Sequence, residues 1–185
     1  EDDIVEVLAG VLGDAAPRAS TSADAQSPWA ASPASYVKIS DGCDRFCSFC
    51  AIPYIRGRYH SFPLETVRAS VAERVEAGVR EITLIAQDAG RWGEDFAEPS
   101  NTAALLATLA DEFPQTWFRL MYIEPQGVSD ELLDVIASKP NVCKYLDMPL
   151  QHASKPVLRA MNRRGDENSH RELVARIRER VPGIT

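Results

Sequence analysis

The chain has 185 residues, 45% hydrophobic and 25% charged, the balance of one ordinary globular domain, which excludes wholesale disorder and collagen-like structure. No apolar run approaches the roughly 18 residues of a membrane span, and no basic leader followed by an apolar stretch is visible, so a cytoplasmic protein without membrane contact is expected. A net charge of -7 argues against a surface made mainly to grip a phosphate backbone.

Residues 1–13 place Ile4, Val5, Val7, Leu8, Val11 and Leu12 at helical spacing before Gly13, which predicts the helical end of a preceding domain. In residues 14–35, 16 of 22 positions are Ala, Ser or Pro, so this stretch reads as a flexible linker. From residue 36 to 185 strand and helix signals alternate. Tyr36–Ser40 is a short strand, and Val67, Val71 and Val75 share one face of a helix over Glu65–Ala77. Ile82–Ala86 is a strand, followed by a helix with Leu105, Leu106, Leu109 and Phe113 on one side and Pro114 as its stop. Trp117–Ile123 is the third strand. Ser129 caps the next helix, whose first turn carries Asp130 and Glu131. The fourth strand spans Val142–Pro149. A helix then runs from Ser154 to Met161, and Leu173, Val174, Ile177 and Val181 mark another that Pro182 ends. Ile184-Thr185 reads as the opening of a fifth strand, so a fragment cut at both ends is expected.

Four strand-then-helix units in succession imply an α/β fold with a parallel sheet and right-handed crossovers, either a (βα) barrel or a doubly wound sheet. Near-continuous apolar strands predict burial on both faces. Chemistry in both architectures gathers at the carboxyl ends of the strands, here the segments after Ser40, Ala86, Ile123 and Pro149.

The first of those segments reads Gly42-Cys43-Asp44-Arg45-Phe46-Cys47-Ser48-Phe49-Cys50. Three thiolates at this spacing let one short loop hold three corners of an iron–sulfur cube and leave the fourth iron open. Phe46 and Phe49 are expected to form an apolar wall that shields the cluster. The competing reading is a zinc-stabilised interaction module, with Cys143 or His60 completing the ligands. Cys143 is otherwise expected as a small core residue, and Met121, Met148 and Met161 as core fillers.

Cys-x3-Cys-x2-Cys with an aromatic before the last Cys, placed after a first strand, resembles the radical S-adenosylmethionine superfamily. Ile52-Pro53 and Arg56-Gly57 after the cysteines are similar to its methylthiotransferases. The resemblance covers about 150 residues. It implies a parallel-stranded partial (βα) barrel of the radical S-adenosylmethionine type, truncated after about four units. It also implies a 4Fe–4S cluster on Cys43, Cys47 and Cys50, with S-adenosylmethionine on the open iron cleaved by one electron to a 5′-deoxyadenosyl radical. Gln87, Asp88 and Gln151 are the positions it implies for holding S-adenosylmethionine, with Tyr122 and Glu124 as candidates for the ribose and amino groups. No catalytic side chain beyond the cluster ligands is expected. A second 4Fe–4S cluster is implied in an amino-terminal domain, and a substrate-binding domain after residue 185.

Two branches of that family differ in substrate. One modifies adenosine in transfer RNA, the other the β-carbon of an aspartate in a small-subunit ribosomal protein. Ala86-Gln87-Asp88 with Gly93 and Asp95, and Pro149-Leu150-Gln151-His152, are similar to the ribosomal-protein branch. Phe62 departs from the arginine common after Ser61. The partners implied are a ribosomal protein, an electron-donor protein and, in the alternative, transfer RNA. Residues 36–153 carry a net -6, which suits a basic ribosomal protein better than RNA. Residues 154–185 carry +4, and the arginines there, Arg163 and Arg176 among them, are expected to form a solvated face. His152 is expected to be a hydrogen-bonded structural residue, since radical hydrogen abstraction needs no base there.

Overall fold

A computed structural model of the chain describes residues 32–185. The expected helix over residues 1–13 and the linker up to residue 31 lie outside the described residues. The first strand, β1, spans Ala34–Lys38, so it starts inside the expected linker. It is followed by a two-residue strand β2, Ser40–Asp41, and after the cysteine loop by helix α1, Ile52–Arg56, and strand β3, His60–Ser61. Then come α2 (Leu64–Glu76), β4 (Glu81–Ile85), α3 (Thr102–Glu112), β5 (Trp117–Leu120), α4 (Asp130–Ser138), α5 (Lys155–Ala160) and α6 (Glu167–Arg180).

The main sheet is parallel, in the order β1-β4-β5. Its register sets Val37 beside Leu84 and Leu84 beside Leu120, a row that is 2% exposed or less. Val67 and Val71 of α2, Leu105, Leu106 and Leu109 of α3, and Leu132, Leu133 and Ile136 of α4 close over that face, with Phe118 fully buried between them. The opposite face is open at its sides. Tyr36, Thr83 and Arg119 share its row, and Tyr36 is 61% exposed and Thr83 6%. Burial on both faces is therefore corrected: helices cover one face, and the other is the concave side of an unclosed barrel.

Helix starts follow their capping residues. Asn101 Oδ1 accepts from Ala104 N (2.8 Å) to begin α3, and Ser129 Oγ accepts from Leu132 N (3.2 Å) to begin α4. At α6 Asp166 and Ser169 form a reciprocal capping box, so this helix starts well before its first predicted apolar residue.

The fourth strand does not form. Only Val142 bridges β5, in parallel with Phe118, although the following segment keeps its direction beside β5. Cys143 N donates to Phe118 O (2.8 Å) and Ile123 N donates to Asp147 O (3.0 Å). Counted between like bonds, from Phe118 N donating to Asn141 O (2.8 Å) to Ile123 N donating to Asp147 O, the β5 side advances five residues and its neighbour six, so one residue of the 142–147 stretch is left over and the ladder breaks. Opposite that stretch, Tyr122 takes φ +63°. Farther out, Leu146 N donates to Thr185 O and Thr185 N to Lys144 O, each at 3.0 Å, which places Thr185 as the next neighbour in the sheet.

Candidate active site

The cysteine loop is tied off at its base. β2 and β3 pair antiparallel, Ser40 with Ser61 and Asp41 with His60, and Cys43 N donates to Gly57 O (3.1 Å). Gly42, at φ +71°, passes so close to the returning chain that a Cβ there would lie 2.2 Å from Arg58 O. Within the loop Cys50 N donates to Cys47 O (3.0 Å), closing a tight turn between the last two cysteines. The ribbon was not foreseen, because two residues carry no readable periodicity.

Two arginine–carboxylate pairs fasten this loop to the rest of the fold, and a third stands beside it. Arg45 Nε donates to Asp88 Oδ2 (2.8 Å), just past β4. Arg91 pairs with Asp44, and Arg163 pairs with Glu124, just past β5. Burial pushes the carboxyl of Asp88 up against the pull of Arg45, and that of Glu124 up against the pull of Arg163. Burial also raises the Cys43 thiol, opposed by the Arg45 backbone N–H, so a metal must displace its proton.

Cys43, Cys47 and Cys50 line one cavity of about 300 Å³ together with Arg45, Ile52, Gln87, Tyr122, Glu124 and Arg163. This is within the range of small-ligand sites, at the carboxyl ends of the strands. The side-chain oxygen of Gln87 is buried there without a hydrogen-bond partner, an acceptor open to a ligand donor. Among the described residues no three His, Cys, Asp or Glu side chains converge as one mononuclear ion requires. Zinc would hold thiolates at ~2.3 Å from a single point. Thiols spread around a cavity fit a larger group with several metal corners, and the all-sulfur donor set suits iron in an iron–sulfur cluster.

Of the residues singled out in the sequence, Gln87, Tyr122 and Glu124 are in this wall. Asp88 lies beneath it, fully buried, and faces Arg45. Gln151, at φ +67°, is not brought to this cavity; it lines another of about 620 Å³ between the 150–153 segment and α6. Phe46 and Phe49 do not form the expected shield: they are 43% and 55% exposed and stand outside the cavity wall. Cys143 is half-buried rather than part of the core. His152 Nδ1 accepts from Ser154 N (2.8 Å), a structural bond. Sequence reasoning missed Arg45 and Arg163. Arg163 was grouped with the basic tail, yet its side chain is 13% exposed. Its signal was the Asn162-Arg163-Arg164-Gly165 turn, which is no part of a helix face. Other tail arginines answer acids of their own chain, Arg176 to Asp130 and Arg180 to Asp134.

A parallel half-barrel with three thiols at its carboxyl edge defines a class of protein, and comparison with known sequences gives it a family. The chain belongs to the radical SAM superfamily, whose family model matches residues 37–185. Over 149 residues, 80% of the chain, it is 47% identical to the ribosomal protein uS12 methylthiotransferase RimO of Geobacter sulfurreducens and 49% identical to that of Porphyromonas gingivalis. Those stretches are 33% and 34% of the two relatives, so the chain spans about a third of the length of the curated relatives it matches. The fold is also that of the radical S-adenosylmethionine methyltransferase TsrM from Kitasatospora setae, with a TM-score of 0.63 at 16% identity over 82% of this chain and 29% of that one. No helix among the described residues is long and apolar enough to cross a membrane.

Proposed function

We propose that this chain is the catalytic half-barrel of a ribosomal protein methylthiotransferase, with Cys43, Cys47 and Cys50 holding a 4Fe–4S cluster and S-adenosylmethionine as its ligand. The observation that carries the reading is the lining of one strand-end cavity by all three loop thiols, beside the unpartnered oxygen of Gln87. When bound, the cluster and S-adenosylmethionine supply the one-electron chemistry that activates an unreactive C–H bond. The chain's own residues bind and orient. Gln87, Tyr122 and Glu124 face the cofactor space, and Asp88 acts indirectly by anchoring the cysteine loop through Arg45. Gln151 belongs to this set only if the 150–153 segment turns toward the cavity.

The substrate we infer is the β-carbon of an aspartate in ribosomal protein uS12. The likeness to uS12 methylthiotransferases and the acidic body, net -6 over residues 36–153, both support a basic protein substrate over transfer RNA. An electron-donor protein, a second cluster outside these residues and a cytoplasmic setting complete the proposal. Anaerobic reconstitution of the full-length protein, with iron and sulfide counted, tests the cluster: uptake of zinc without sulfide overturns it. Mass spectrometry of uS12 and of hydrolysed transfer RNA from a deletion strain tests the substrate. Loss of the mark from uS12 is expected; loss from the RNA alone would assign the other branch.

A further inference from the structure

We propose that Arg163 is a positioning residue that raises the reduction potential of the cluster through its hydrogen bond to Cys47, and that Glu124 opposes it. The inference rests on the cluster reading of residues 43–50 and adds to it an electronic role for two side chains outside the cysteine motif.

Arg163 Nε donates to Cys47 Sγ at 3.1 Å, while a terminal nitrogen of the same guanidinium binds the Glu124 carboxylate. The two side chains are 13% and 8% exposed, so water screens neither charge well. The planar fork of arginine makes the two contacts together, which a lysine cannot reproduce. The guanidinium carbon is also 6.0 Å from the centre of the Phe49 ring, inside the same loop.

This donor is held in place by the chain that carries it. The turn Met161–Arg163, just after α5, grips the cysteine loop at three further points. Ser48 N donates to Met161 O (3.2 Å), and Asn162 Nδ2 donates to the carbonyls of Arg45 (3.0 Å) and Phe46 (3.1 Å). Phe46 and Asn162 both take positive φ, 49° and 55°, to let these bonds form. Arg163 N is itself tied to Leu158 O at 2.8 Å. Two segments 116 residues apart in sequence are thereby fixed face to face around one sulfur.

One-electron reduction adds negative charge to an iron–sulfur cluster, much of it on the sulfurs. A charged N–H donor on a ligating sulfur favours the reduced form and so raises the potential. The Glu124 carboxylate cancels part of the arginine's charge and works in the opposite direction. The two residues therefore predict shifts of opposite sign, which damage to the loop would not produce.

The test is a dithionite titration of the reconstituted full-length protein followed by electron paramagnetic resonance of the signal that Cys47→Ala removes, which separates it from the second cluster, without S-adenosylmethionine, so that any role of Arg163 toward that ligand is excluded. Arg163→Gln is expected to lower the midpoint potential by at least about 59 mV, a tenfold change in a one-electron equilibrium. Arg163→Lys should lower it less, and Glu124→Gln should raise it. An unchanged potential in Arg163→Gln at equal iron load overturns the proposal, as does a shift of both variants in the same direction. If Arg163→Gln does not load, Arg163→Lys carries the measurement. Loss of one cluster's share of iron and sulfide in both arginine variants would make Arg163 a structural residue and overturn the proposal as well. Failure of the wild type to take up iron and sulfide would instead sink the cluster reading.

Discussion

Arg45 closes on Asp88 with two nitrogens, Nε and a terminal one, each 2.8 Å from the same carboxylate oxygen. The carboxylate is fully buried and the arginine side chain 28% exposed, so the pair joins the cysteine loop to the end of β4 across a protected contact. Burial outweighs the attraction and raises the pKa of Asp88. The native state thus holds the proton more tightly than the unfolded chain, and ionisation costs stability as pH rises past the unfolded value. Asp88→Asn should therefore change global stability by less than about 1 kcal/mol, and favour the variant more at neutral pH than in acid. Amide exchange over residues 43–47 should nonetheless speed up, because the tether is gone. Arg45→Ala leaves the buried carboxylate without its cation and should cost about 3 kcal/mol in denaturant unfolding. Equal losses in the two variants would contradict this account.

Gly42 and Gly57 both take positive φ, 71° and 78°, but only the first is crowded. Gly57→Ala meets nothing within 4 Å, but at φ 78°, ψ -162° its backbone is one that only glycine adopts freely, so the strain alone should cost about 2 kcal/mol. Gly42→Ala drives a methyl group into Arg58 O, which is backbone and cannot swing aside. Its cost should exceed that of Gly57→Ala by at least about 1 kcal/mol, and the cysteine loop should lose protection in hydrogen exchange. Comparable unfolding midpoints for the two variants would show that the loop base is not packed as described.

Cys143 bonds to Phe118 near the start of β5, whereas the cysteine loop meets the sheet beyond its other end, roughly 13 Å along the strand. Cys143→Ala should keep the full count of iron and sulfide after reconstitution. Alanine at Cys43, Cys47 or Cys50 should remove one cluster's share of that count and leave the second cluster proposed outside these residues. Loss of metal in the Cys143 variant would revive a four-ligand site.

The Ser169 backbone N–H, and then its hydroxyl, hold Asp166 below its ordinary pKa at the start of α6. A depressed carboxylate contributes stability above its unfolded pKa, about 3.9, and that contribution is lost as pH falls through the lower folded value. Wild type should therefore be more stable than Asp166→Ala at neutral pH, with the gap closing in acid. A gap that stays constant down to acid would show that the charge of Asp166 is irrelevant to the cap.

Strong local signals made much of this chain legible in its sequence. Periodic valines and leucines marked α2, α3 and α4, Ser129 marked a helix start, and three cysteines in eight residues marked the chemistry. Each rests on interactions within a few residues, which sequence spacing records directly. The tertiary structure alone decided what depends on distant backbone. The left-over residue of the 142–147 stretch breaks the fourth strand, the β2–β3 ribbon closes the loop, and Gln151 is turned to another cavity. It also decided which of the many arginines matter. Arg163 looked like one more charge on a basic tail, and only the fold sets it against a sulfur 116 residues away. Burial then turns an ordinary surface cation into a fixed partner of Cys47 and Glu124, because low exposure removes the water that would otherwise satisfy all three.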